Sequence, residues 1–343
     1  MKAAVFKGIN ILSVEDVKEP PLPKGGLLLK VQATGICGTD VRIFRGRKMV
    51  TPPRIIGHEF SGIVAGVSEG TGGLKEGDRV VVEAIIPCGT CYACRRGEAN
   101  ICVSRKTLGY ELDGGFAEYV AIPAEAVAAG CVIKLPDNVS FAEAAACEPA
   151  AACINGRNKI SSNLRESILI AGDGPVGLIH MELAKASGFK KVLMAGTDSG
   201  KLALAKKLGA DAVLNVREGD IAPFIKSVCG EDGVDCVIVA NNNRASLEEC
   251  IKLLRKGGEV VIFAGYKSEE AIEINLNLIH YREIKIKGSS GHSKVHMKEA
   301  VELVSNGSLD LKSLITHELK PEQIVEGIKM KEELVGIKHI IKF

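Results

Sequence analysis

At 343 residues the chain exceeds the size that one hydrophobic core usually supports, so two domains are expected. Apolar residues make up 46% and charged residues 25%, with a net charge of +2; this excludes extensive disorder and leaves no basic excess to attract a nucleic acid. No stretch of about eighteen apolar residues suits a membrane, and the start has no leader pattern. The eleven cysteines, an odd number that includes Cys131, Cys153 and Cys236 in apolar stretches, fit a reducing compartment and not a disulfide framework. A cytoplasmic protein without membrane or nucleic-acid partners follows.

The first stretch alternates short apolar runs with glycine and proline turns. It predicts strands over Ala3 to Phe6, Leu27 to Val31, Ile63 to Val67, Arg79 to Ala84 and Phe116 to Ile122, a β-rich domain. Near Asn155 the rhythm changes to strand, glycine, amphipathic helix, the repeating unit of a parallel, doubly wound sheet. Its strands are expected at Ile168 to Ala171, Val192 to Ala195, Ala212 to Leu214, Cys236 to Ala240, Val260 to Ala264 and Ile284 to Lys287. Helices are expected at Pro175 to Ala186, Lys201 to Leu208 and Leu247 to Leu254. A helix, Lys298 to Val304, and a strand, Lys338 to Ile341, follow and are expected to rejoin the first domain. The expected divisions are 1–153, 154–291 and 292–343.

Cys88, Cys91, Cys94 and Cys102 stand at Cys-x2-Cys-x2-Cys-x7-Cys in a glycine-containing loop. Four thiolates at about 2.3 Å fill a tetrahedral zinc and leave no open position, so this pattern reads as a structural site. A second set is more dispersed. Gly35-Ile-Cys37-Gly-Thr39-Asp40, Gly57-His58-Glu59 and Cys147-Glu148-Pro149 offer a thiolate, an imidazole and carboxylates, and three protein ligands plus an open position make a catalytic zinc. Singly, Cys37, His58 and Glu148 also fit a buried thiol, a core histidine and a helix-end carboxylate.

Gly172-x-Gly174-Pro175-Val176-Gly177 follows an apolar run and opens a helix. Such glycines permit the tight turn, the approach of backbone N–H groups to a pyrophosphate and close helix packing. The carboxylate that meets an NAD ribose normally ends the next strand, but Gly196 holds that place here, followed by Thr197, Asp198 and Lys201. Lys201 and Arg217 would tolerate the 2'-phosphate of NADP, whereas Asp198 would accept from the 2'-hydroxyl of NAD; both readings stay open.

In their order these motifs, with Gly57 to Gly62 and Gly114-Gly115-Phe116-Ala117-Glu118-Tyr119, resemble the zinc-dependent medium-chain dehydrogenases over essentially the whole chain. The polyol and threonine dehydrogenase branch is the nearest likeness, on Glu148-Pro149. The resemblance implies an α/β protein with a GroES-like β-barrel catalytic domain and a Rossmann domain. It implies two zinc ions: one on Cys37, His58 and Glu148 with Glu59 adjacent, and one on the four-cysteine loop. It also implies NAD or NADP, hydride transfer from a small-molecule secondary alcohol, and a homodimer or homotetramer paired through the edge strand Glu283 to Lys287. Thr39 resembles the hydroxyl that accepts the substrate proton; Arg42 stands where a relay histidine is common and cannot release its proton.

Arg42, Arg45, Arg47 and Lys48 form a basic cluster that reads either as solvated surface or, through Arg42 and Arg45, as a site for an anionic substrate. A simple secondary-alcohol dehydrogenase is the alternative within the family. From other classes, a zinc-ribbon nucleotide-sensing interaction module lacks the charge for nucleic acid, a hydrolytic zinc enzyme needs no dinucleotide fold, and a metal-free reductase would not carry both ligand sets.

Overall fold

Alternating apolar residues place the strand Leu27–Gly35 with one face in the core, and it carries the first half of the molecule. The computed structural model describes residues 1–161, 163–266 and 271–343, which divide into one unit of Met1–Ala151 with His292–Phe343 and a second of Ala152–Gly291. In the first unit Leu27–Gly35 pairs antiparallel with Glu59–Val67, Tyr119–Ile122 and Lys338–Lys342. These belong to a seven-stranded sheet, with Leu27, Leu29, Val31, Phe60, Val64 and Val80 in its apolar core. Each such fully buried side chain contributes about 1.5–3 kcal/mol.

Register decides what this sheet brings together. Gly35 lies opposite Glu59 on one side and Ile340 on the other. Cys37, His58 and Lys338 therefore converge at one end of three strands that are far apart in sequence.

The second unit is a six-stranded parallel sheet. Its order is Ala212–Asn215, Lys191–Gly196, Ser167–Ala171, Val234–Val239, Leu254–Ile262, Lys285–Gly288. Near-continuous apolar strands such as Ser167–Ala171, buried throughout, are what a sheet covered on both faces requires. The order steps outward in both directions from Ser167–Ala171, so the glycine-rich turn after that strand lies at the switch point where doubly wound sheets bind ligands.

Several expected elements differ in extent or were missed. The strand expected over Arg79 to Ala84 ends at Val82, where its partner strand Val132–Lys134 begins; the Glu83 N–H still bonds the Cys131 carbonyl one position further on. Phe116 and Ala117 precede the strand Tyr119–Ile122; the Gly115 and Phe116 N–H groups bond instead to the Gly57 and Ile56 carbonyls. The helices Phe141–Arg157 and Ile221–Cys229 had no counterpart among the expected elements. The first is alanine-rich and buried along most of its length, so it shows no polar stripe, and the second carries Pro223 in its first turn.

Candidate active site

The turn after Leu27–Gly35 supplies the first donor. Cys37 is the N-cap of the helix Gly38–Phe44, and the buried Asp40 in that helix accepts from the Cys37 N–H at 2.8 Å. The other oxygen of Asp40 lies 3.4 Å from Nδ1 of His58. One carboxylate thus fixes the Cys37 backbone and backs the His58 ring at Nδ1, leaving Nε2 for a metal. One ligand atom from each of Cys37, His58 and Glu59 lies within 4.8 Å of the others. A thiolate, an imidazole and a carboxylate in a mostly buried setting fit zinc.

Glu59 is wholly buried and paired with the buried ammonium of Lys338. A side chain at Gly35 would overlap the Glu59 carboxylate, so glycine is required there for space. Burial pushes the Glu59 carboxyl upward against the pull of Lys338.

Glu148 stands apart from the three-donor cluster. Nε2 of the buried His292 lies 2.9 Å from its carboxylate, and Nδ1 of the same ring lies 2.6 Å from the buried Glu83. Burial opposes charge on both partners, but the carboxylates flanking His292 raise it to about 10, and His292 in turn lowers Glu148 to about 2. The expected third ligand is therefore in a hydrogen-bonded chain, with Glu59 in its place among the three clustered donors.

The four-cysteine loop is a separate cluster, its sulfur atoms also within 4.8 Å of one another. Cys91 and Cys94 have Sγ atoms 3.5 Å apart, near the edge of about 3.8 Å that a tetrahedral zinc with 2.3 Å bonds requires. The backbone N–H groups of Cys88 and Cys91 donate to Sγ of Cys102 and Cys88 at 3.3 and 3.4 Å. Backbone donors, that of Thr90 foremost, lower Cys88 to about 6, favouring the thiolate a metal needs.

In the second unit the fingerprint performs as its chemistry demands. The Gly172 N–H bonds to the Ala195 carbonyl at 2.8 Å, and a side chain at Gly177 would overlap the Gly172 carbonyl. Gly174 is the N-cap of the helix Pro175–Ala186, with Pro175 and Val176 in its first turn. Asp198 caps the helix Ser199–Lys207, accepting from the Gly200 and Lys201 N–H groups at 2.9 and 3.1 Å, and Nζ of Lys201 lies 3.5 Å from its second oxygen.

The basic cluster separates. Arg45 makes a bidentate pair with Glu332, with a contact of 2.6 Å, and also reaches Asn10. Nε, Nη1 and Nη2 of this residue, which was expected to serve an anionic substrate, thus each donate to Glu332 or Asn10. Arg42 is exposed. Lys48 lies 3.6 Å above the Tyr110 ring, which in turn is 5.1 Å from the His58 ring. Thr39 is half-buried in the first turn after Cys37. Sequence reasoning missed Glu83, His292, Lys338 and Tyr110, none of which stands in a recognisable spacing.

Residues 23–137 match the family model for the alcohol dehydrogenase GroES-like domain, and residues 175–306 match that of the zinc-binding dehydrogenases. The chain is 32% identical to a sorbitol dehydrogenase of Bacillus subtilis, over 96% of this chain and 93% of that protein. It belongs to the zinc-dependent medium-chain dehydrogenase family. An L-threonine 3-dehydrogenase of Pyrococcus abyssi is 34% identical over 93% of this chain and 90% of its own length. A zinc-binding dehydrogenase of Sinorhizobium meliloti, solved with NADP, superposes with a TM-score of 0.91 at 29% identity, covering 100% of this chain and 99% of the other. The expected family, fold class and reaction class are thereby borne out, and the chain is an oxidoreductase acting on a small-molecule alcohol. The interaction-module alternative falls with them.

Proposed function

We propose that this dehydrogenase oxidises a secondary hydroxyl of a polyol, with the Cys37, His58 and Glu59 cluster as its catalytic zinc site and Glu148 as an exchangeable fourth ligand. The observation that carries this reading is the convergence of those three donors within 4.8 Å, one helical turn from Thr39. When bound, zinc lowers the pKa of a substrate hydroxyl and the nicotinamide accepts the hydride. Thr39 takes the hydroxyl proton at its Oγ1, and Arg42, at the relay position, leaves water to carry that proton away. Asp40 holds the Cys37 backbone and the His58 ring in place. Cys88, Cys91, Cys94 and Cys102 hold a second zinc that ties their loop down. Gly172, Gly174, Pro175, Val176 and Gly177 would hold the pyrophosphate of a dinucleotide, and Gly196, Thr197, Asp198 and Lys201 would hold its adenosine ribose.

Lys48 supports a second reading, in which the polyol carries a phosphate. Burial lowers its pKa from the ordinary lysine range, and its ammonium stands over Tyr110 beside His58, where an anion on the substrate would gain a charge-assisted partner.

A cytoplasmic site of action is supported by the odd number of cysteines, eleven, with Cys131, Cys153 and Cys236 buried among apolar residues. Among the described residues no helix is long and apolar enough to cross a membrane. We further infer a homodimer or homotetramer, supported by the edge strand Lys285–Gly288, which among the described residues has a neighbour on one side only and so can pair with its symmetry mate.

Initial rates of nicotinamide reduction over matched neutral polyols, polyol phosphates, threonine and simple secondary alcohols test the assignment. Preference for a polyol or its phosphate supports it; turnover confined to simple alcohols overturns the substrate class. Full turnover by Thr39→Val would remove the proton role of Thr39.

A further inference from the structure

In the Sinorhizobium meliloti neighbour the fold holds NADP, so the preference of this chain turns on its own residues. The usual ribose carboxylate is missing at Gly196, but an acid occupies the same space from another direction. Asp173, the variable residue between the first two fingerprint glycines, accepts from the Thr197 N–H at 2.6 Å and the Asp198 N–H at 2.7 Å, both on Oδ2. A side chain at Gly196 would overlap the Asp173 carboxylate. The absence of an acid at 196 and the presence of one at 173 are thus a single steric fact, since the volume holds one of them.

We propose that Asp173 is the specificity-determining carboxylate of the cofactor site and selects NAD over NADP. Three features of the tip of the strand Lys191–Gly196 point the same way. The two N–H groups that would bind a 2'-phosphate already donate to Asp173. Its Oδ1, to which no donor is bonded among the described residues, is left to accept from a ribose hydroxyl. The helix that follows is capped by a second acid, Asp198, against which Lys201 is drawn. A 2'-phosphate would therefore meet two carboxylates and find Lys201 already drawn to Asp198, and like charges placed together oppose binding.

The inference rests on the reading of Ala152–Gly291 as the dinucleotide-binding unit, and the test keeps the two apart. Calorimetric titration of the zinc-loaded full chain with NADH and with NADPH gives both dissociation constants without turnover. The expected result is NADH tighter by about a hundredfold. Asp173→Ser frees the two N–H groups and removes the charge, so NADH should weaken about tenfold, NADPH should tighten, and the gap should close to within about tenfold. NADPH binding within threefold of NADH in the unmodified chain would overturn the proposal, as would a preference unchanged in Asp173→Ser. The unmodified chain decides the first point even if the variant fails to fold. Binding of neither cofactor would instead overturn the dinucleotide reading itself.

Discussion

The two clusters of candidate metal ligands are built in opposite ways. The cysteine loop draws its four sulfurs from 15 consecutive residues, Cys88 to Cys102, and stabilises them with its own backbone N–H groups. The second cluster joins a turn, an adjacent strand end and a lysine 279 residues from its partner Glu59, and beside it the buried Glu83 is paired with the buried His292. A local loop can be read from spacing because spacing is its geometry. An assembled site cannot, because its geometry is strand register.

The sharpest break between the two comes from the thiolates. Cys37→Ser should lower turnover by at least about a thousandfold while leaving the loop zinc bound, so elemental analysis should show one metal lost and one retained. Cys102→Ser should do the reverse for metal content, with loss of thermal stability. Loss of both metals in either variant would mean that the clusters are not independent.

Next in size is the His292 chain. His292→Leu removes the cation between the buried Glu83 and the half-buried Glu148, and kcat/KM should fall about 10–100-fold, as for other groups that hydrogen-bond metal ligands. Cobalt substituted for zinc should report the change in its visible spectrum while the loop metal stays in place. An unchanged spectrum and rate would make the chain purely structural.

Glu259 offers a comparison within the second unit. Buried, it bonds Lys287 at 2.8 Å, Lys285 at 3.0 Å and Ser161 at 2.5 Å. Burial alone would raise it, but these partners hold it at about 2. With a native pKa below the unfolded value, its contribution is present above about pH 4.5 and fades as pH falls toward 2. Glu259→Gln should therefore cost about 2 kcal/mol at neutral pH, and urea unfolding at pH 3 should show a smaller gap.

The smallest effect should come from Arg45, which is as remote from Glu332 in sequence but partly exposed at 34%. Arg45→Ala should leave the urea unfolding midpoint nearly unchanged and the substrate KM unaltered. A large change in KM would restore Arg45 to the substrate site.

Much of this was legible in the residues. The fingerprint glycines, the cysteine spacing and the donors Cys37 and His58 carry chemistry in their type and local order, and the helix Pro175–Ala186 lies where its periodicity places it. The balance between Glu59 and Glu148 was not legible, since it depends on Lys338 and His292 approaching from the last 52 residues. Asp173 was hidden differently. It sat inside a quoted motif at a position treated as variable, and only the space above Gly196 shows what it does.

The pairing of Ile340 with Gly35 also sets an order of events. The cysteine loop closes over few residues, at a small loss of chain entropy, and can capture zinc as soon as it leaves the ribosome. The Glu59 carboxylate meets its lysine only after the strand Lys338–Lys342 has been synthesised and has docked. During translation the chain can therefore be metal-bound and still chemically incomplete, and a truncated product would carry a filled loop beside an unfinished catalytic centre.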